Sequence, residues 1–141
     1  MGRAGYIAVT MFRKILALFI TAAAVLSAFA SDSGRYADIS HDQLKTAIAA
    51  GAVTIIDVNG SDSYTEGHIP GALNFSAVKA DLAARLPANK DALIVAYCGG
   101  PQCTAYRQAY DAAVALGYTN VKHYSGGISG WEAKGEKTDK G

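Results

Sequence analysis

The chain has 141 residues, with 13 Lys and Arg against 12 Asp and Glu, three His, two Cys, 50% hydrophobic residues and a formal net charge of +1. That length excludes a multidomain enzyme or a large barrel, and the balanced charge excludes a nucleic-acid footprint, which needs a basic excess gathered on one face. All twelve acidic residues follow residue 30, beside ten of the basic ones, so the remainder of the chain is mildly acidic at −2.

The amino end reads as a secretory signal peptide. Arg13 and Lys14 precede an apolar run over 15–26, interrupted only by Thr21, and Ser27-Ala28-Phe29-Ala30 follows. The run is too short to span a bilayer, which takes roughly 20 apolar residues, and small residues at Ala28 and Ala30 predict cleavage after Ala30. Because Met11-Phe12-Arg13-Lys14 is a sufficient positively charged start, residues 1–10 read either as an extension or as the product of an upstream start, with Met11 the true one. Residues 1–30 are therefore set apart as extension and leader, and 31–141 as one domain with a core over about 36–135. Export, with the bacterial periplasm as destination, would place Cys98 and Cys103 where disulfides persist, with no stable membrane span left after cleavage. A bridge between cysteines five positions apart closes only a tiny loop, so the pair points to chemistry rather than scaffolding.

In chain order, Ser40 is placed to cap a helix whose face carries Leu44, Ala47 and Ile48, and Gly51 to end it. Residues 53–58 form a β-branched, nearly all-apolar run, as in a strand buried on both faces of a parallel sheet. A polar stretch with Tyr64 leads to the turn-rich 67–72 and a short strand at 73–75. A helix is predicted over 76–86, stopped by Pro87, and a second buried strand over 92–97. The segment 104–116 has helical spacing ended by Gly117, 121–124 is a last strand, and 129–134 a short final helix. Strands alternating with helices predict a small α/β domain whose parallel sheet is covered on both faces.

The second buried strand runs straight into Cys98-Gly99-Gly100-Pro101-Gln102-Cys103. A cysteine at the carboxyl end of such a strand, before a glycine-rich turn and a helix, sits where α/β folds place ligands. The turn and the positive end of the next helix can hold a thiolate without a general base. The candidate donors are the amides of Gly99, Gly100, Gln102, Cys103 and Thr104, since Pro101 has none. The alternative is an inert buried thiol, which gives no reason for Gly-Gly-Pro at a strand end.

Taken together, Ile55-Ile56-Asp57-Val58, Tyr64, Gly67-His68-Ile69-Pro70-Gly71-Ala72-Leu73-Asn74, Tyr97-Cys98-Gly99-Gly100-Pro101-Gln102-Cys103, Leu116-Gly117-Tyr118, Gly126-Gly127-Ile128 and Trp131 resemble the rhodanese-like family, in its single-domain thiosulfate sulfurtransferase type. The resemblance covers about 36–135. It implies a five-stranded parallel sheet with helices on both faces and an active-site loop opening at Cys98. It also implies a reaction in which Cys98 takes a sulfane sulfur from a small sulfur-containing anion such as thiosulfate, or from a persulfide donor. The persulfide then passes its outer sulfur to a thiol or cyanide, with no metal and no organic cofactor.

Two departures bear on the donor. Many members carry Arg two residues after the aspartate that ends the first buried strand, where this chain has Asn59, and many end the loop with a basic or hydroxyl residue, where it has Cys103. Fewer positive charges weaken attraction for a dianion. Phosphatases of this fold need Arg where Thr104 stands, which argues against that chemistry.

Other polar residues receive structural readings. Cys103 is a candidate resolving thiol for a persulfide or mixed disulfide on Cys98, or else a small loop-filler. Arg107 reads as a surface or ion-paired residue, Asp57 as an acceptor of local backbone N–H groups, and His68 as a hydrogen-bonding brace of its turn. His41, His68 and His123 have no metal-ligand spacing. Three functions follow: a sulfurtransferase; a sulfur-carrier or binding module of the same fold, served by a partner protein and without turnover; and a Cys98/Cys103 dithiol oxidoreductase.

Overall fold

The computed structural model describes residues 34–141; the leader, its cleavage site and the extension before Met11 lie outside the described residues. Four strands make one parallel sheet: β1 (Thr54–Asp57), β2 (Leu73–Asn74), β3 (Ile94–Tyr97) and β4 (Val121–His123), in the order β2-β1-β3-β4. Six helices complete the α/β fold: α1 (His41–Ala49), α2 (Ser61–Glu66), α3 (Phe75–Val78), α4 (Leu82–Arg85), α5 (Tyr106–Ala115) and α6 (Gly127–Ala133). Among the described residues, no helix is long and apolar enough to cross a membrane.

The expected fifth strand is reduced to one parallel bridge between Asp38 and His123. His123 N–H donates to the Ala37 carbonyl and Ile39 N–H to that of His123, at 2.7 and 2.9 Å, and the chain then turns at once into α1. Ser40 stops the strand because it caps that helix: its hydroxyl accepts from Gln43 N–H, while the Gln43 side chain accepts from Ser40 N–H.

Sequence spacing predicts one helix over 76–86, but two single turns form. Asn74 caps α3 by accepting from Ser76 N–H, the chain bends through 79–81, and α4 starts afresh with Arg85 paired to Asp81 at 3.0 Å. A helix this short is marginal in water, so packing of Phe75, Leu82 and Leu86 decides its path. The polar stretch around Tyr64 is α2; it contains no fully buried residue, which is why no apolar period announces it.

Side-chain alternation divides the interior into two layers. Ile56, Ile94, Ala96 and Cys98 face α5, joined by Tyr36, Phe75, Leu82, Tyr106 and Ala109. Ile55, Val95 and Tyr97 face the opposite side, with Leu44, Ile69, Tyr124 and Trp131. Burial on both faces is why β1 and β3 are almost uninterruptedly apolar.

Candidate active-site loop

From β1 the chain returns to β2 on one side, and then crosses to β3 on the other, so the connections leaving β1 and β3 diverge at the carboxyl edge of the sheet. Parallel sheets bind ligands at such a divergence. Asn59 follows β1 there, and Cys98 to Thr104 follow β3.

The base of this crevice holds a polar network in which Tyr97 and Asp57 are paired. Tyr97 hydroxyl donates to Asp57 Oδ2 at 2.5 Å and accepts from Ile69 N–H at 3.0 Å, while Asp57 Oδ1 accepts from Asn59 N–H at 2.7 Å. The expected structural reading of Asp57 matches these bonds. Burial, reinforced by the neighbouring Asp57 carboxylate, pushes the Tyr97 phenol far above its ordinary value, which favours its role as donor to Asp57. His68 braces the adjoining turn as expected: its Nδ1 lies 2.8 Å from the Tyr64 carbonyl, and its ring stacks on Tyr64.

The amino end of α6 clamps the loop from the other side. Ile128 N–H donates to the Cys98 carbonyl at 2.9 Å and Ser129 N–H to that of Gly99 at 3.0 Å. Gly127 has φ of +60°, and a Cβ there would stand 2.5 Å from Gly100 nitrogen and 2.6 Å from the Cys98 carbonyl oxygen. Only glycine permits this approach. Gly127 is thus the seat of the Cys98 loop, while its neighbour Gly126 makes room for the Tyr124 ring.

Within the loop, Cys98 and Cys103 form a disulfide with Cα atoms 6.3 Å apart. In this form Cys98 is 1% exposed, enclosed by the apolar layer that faces α5, whereas Cys103 is partly exposed. Cys103 N–H donates to the Gly100 carbonyl at 3.1 Å, closing a turn. The amides of Gly99, Gly100, Gln102 and Thr104 make no hydrogen bond among the described residues, which leaves four donors available in one short segment. Helix α5 opens at Tyr106, two residues later than its spacing predicts, because Thr104 and Ala105 form a tighter turn whose carbonyls accept from Arg107 and Gln108 N–H.

Asn59 lies beside the loop: its Oδ1 is 3.7 Å from the position of a Cβ at Gly99, and its Nδ2 is buried with no hydrogen-bond partner. Arg107 is held over the Tyr36 ring at 4.9 Å. His123, paired with Ala96 in the sheet, shares the sheet face of Ala96 and Cys98 and stacks flat on Tyr106. Burial lowers its pKa, Asp38 opposes that shift and Arg107 adds to it.

A relay that the sequence did not announce joins distant segments: His41 Nδ1 lies 2.9 Å from Tyr124 hydroxyl, and its Nε2 2.9 Å from Glu136 Oε1, which also pairs with Lys45 at 2.8 Å. Hydrogen bonds from Lys45 and His41 hold the Glu136 carboxyl below the ordinary carboxylate range. No spacing rule could connect residues 41, 124 and 136. Among the described residues, no group of three or more His, Cys, Asp or Glu could hold a metal ion.

Comparison with known proteins agrees with this architecture. The chain is 39% identical over 93 residues to the HTH-type transcriptional regulator Rv0324 of Mycobacterium tuberculosis, a match covering 65% of this chain and 40% of that protein. It is 28% identical over 109 residues to the thiosulfate:glutathione sulfurtransferase of Homo sapiens, covering 68% of this chain and 93% of that one. Among solved structures, the Alr3790 protein of Anabaena sp. superposes with a TM-score of 0.57 at 30% identity, over 69% of this chain and 87% of that one. Residues 40–134 match the family described as Rhodanese-like domain, so the chain belongs to the rhodanese-like family.

Proposed function

We propose that this protein is an exported sulfurtransferase in which Cys98 takes a sulfane sulfur from a small anionic donor such as thiosulfate and passes it to a thiol or cyanide. The observation that carries this reading is the placement of Cys98 at the carboxyl end of β3, opening a loop with four uncommitted amides and clamped by α6. A thiolate attacking a sulfane sulfur needs donors for its own charge and for that of the persulfide. Gly99, Gly100, Gln102 and Thr104 are the proposed donors and, with Cys103, the proposed lining of the substrate site. Family membership supports the reaction class, and the human relative is named for transfer from thiosulfate.

The disulfide sets a condition. Cys98 is chemically masked while bonded to Cys103, so turnover requires prior reduction. With reduced protein, thiosulfate and cyanide should yield thiocyanate, Cys98→Ser should abolish it, and Cys103→Ser should retain most of it. Loss of activity with either substitution would instead favour the dithiol oxidoreductase. Undiminished turnover in Cys98→Ser would refute the assignment.

Asn59 favours a second reading, a sulfur-carrier or binding module. An uncharged amide stands beside Gly99 where many family members place Arg, which weakens capture of a free dianion. The likeness to part of a protein named as a transcriptional regulator fits such a module. That reading predicts persulfide on Cys98 after exposure to a persulfide donor, with negligible turnover on thiosulfate.

A further inference from the structure

We propose that Cys103 releases the sulfur carried by Cys98 as hydrosulfide, so that the loop acts as a reductase for sulfane sulfur. This rests on Cys98 being the persulfide carrier, and it assigns the product and the source of electrons.

The disulfide exists while the loop remains seated: Cys98 and Gly99 carbonyls still accept from Ile128 and Ser129, and Cys103 N–H still closes its turn on Gly100. The fold therefore brings Cys103 sulfur to Cys98 sulfur without unseating the loop. Structural stapling is a weak reason for such a pair, since a bond spanning a sequence separation of five removes little freedom from the unfolded chain. Chemistry supplies a better one. In the persulfide, Cys98 Sγ is the inner sulfur, and attack on that atom by the Cys103 thiolate reproduces the observed bond. The Sγ–Sγ bond forms, the bond from Cys98 Sγ to the outer sulfur breaks, and the outer sulfur leaves with its proton as HS⁻. Counted from the donor's zero-valent sulfane sulfur, that atom gains two electrons over loading and release together, one from Cys98 sulfur as the persulfide forms and one from Cys103 sulfur as it is resolved. The four uncommitted loop amides are the donors for the departing anion.

Exposure sets how the loop is reset. Cys98 is sealed and Cys103 is partly open, so an external thiol meets Cys103 sulfur and expels Cys98 as thiolate. A second thiol then frees Cys103. Each cycle consumes one sulfane-sulfur donor and two thiols and produces the donor's remainder, sulfite where the donor is thiosulfate, with one hydrosulfide and one external disulfide. A small thiol or a protein dithiol can serve as reductant.

The test uses the full chain, reduced, freed of thiol and kept anaerobic, then given one equivalent of thiosulfate, whose remainder leaves as sulfite. A parallel arm with glutathione persulfide, whose remainder leaves as the thiol glutathione, reports sulfur loading only, and sulfide release is read in the thiosulfate arm. Sulfide and intact mass are measured. The wild type should release about one sulfide per chain and end about 2 Da lighter than the reduced chain, whereas Cys103→Ser should hold a gain of about 32 Da and release less than about a tenth as much sulfide until thiol is added. A wild type that keeps the added sulfur and releases no sulfide overturns the proposal while leaving Cys98 as carrier. If neither protein gains sulfur from either donor, the carrier reading itself fails, and this inference with it. The wild-type mass decides the matter even if Cys103→Ser misfolds.

Discussion

Tyr97 and Cys98 are consecutive, yet they face opposite sides of the sheet, and their surroundings are built on different principles. Tyr97 is locked: its hydroxyl ties β1 to β3 through Asp57 and reaches the 67–72 turn through Ile69. Cys98 has a changeable partner, a sulfur on a loop held only at its margins. A satisfied polar network beneath a chemically labile atom lets the loop exchange bonds while its base stays fixed.

Four measurements sharpen or break this contrast. The largest effect is expected from Gly127→Ala, whose methyl would collide with the backbone of Gly100 and Cys98; unseating the loop should reduce sulfur transfer by about a hundredfold or more. Gly135→Ala is the control, because it has φ of +74° but open space around it, and backbone strain of about 1–2 kcal/mol without loss of transfer is expected. Equal losses in the two variants would mean that the clamp does not seat the loop.

Next, Tyr97→Phe leaves Ile69 N–H and one Asp57 oxygen without their partner, and chemical denaturation should show a loss of about 3 kcal/mol. Cys98→Ser should change stability under reducing conditions by far less. A smaller loss at Tyr97 than at Cys98 would reverse the roles assigned to the two faces.

Asn59→Arg restores a cation beside Gly99 and should lower the KM for thiosulfate about tenfold, with the gain shrinking at high salt. An unchanged KM would place the donor elsewhere in the crevice.

The smallest effect concerns pH. Burial lowers the His123 pKa below its unfolded value of 6.5, so between the lowered value and 6.5 the unfolded chain binds the extra proton. Stability is therefore fully present above 6.5 and declines as pH falls toward the folded value. His123→Gln should flatten that part of a melting-temperature profile, and a profile as steep as the wild type's would assign the slope to another group.

Much of the fold was readable because it is local. The runs at 53–58 and 92–97 are apolar since both faces of β1 and β3 are covered, Ser40 carries its capping partner three residues on, and Gly-Gly-Pro marks the strand end at Cys98. Three features escaped because they depend on distant partners: the break between α3 and α4, the shortened fifth strand, and the His41–Glu136 relay. Among the site residues, Cys98 and its neighbours were legible as a loop, whereas the α6 clamp was not.

The amino-acid order by itself determined that a cysteine would end a buried strand before a glycine-rich turn, because strand burial and turn formation are set by side chains a few positions apart. Tertiary structure decided that Cys103 faces Cys98, that Gly127 seats the loop, and that Asn59 stands beside Gly99. These relations arise only when parallel strands far apart in the chain align their carboxyl ends and α6 packs across them.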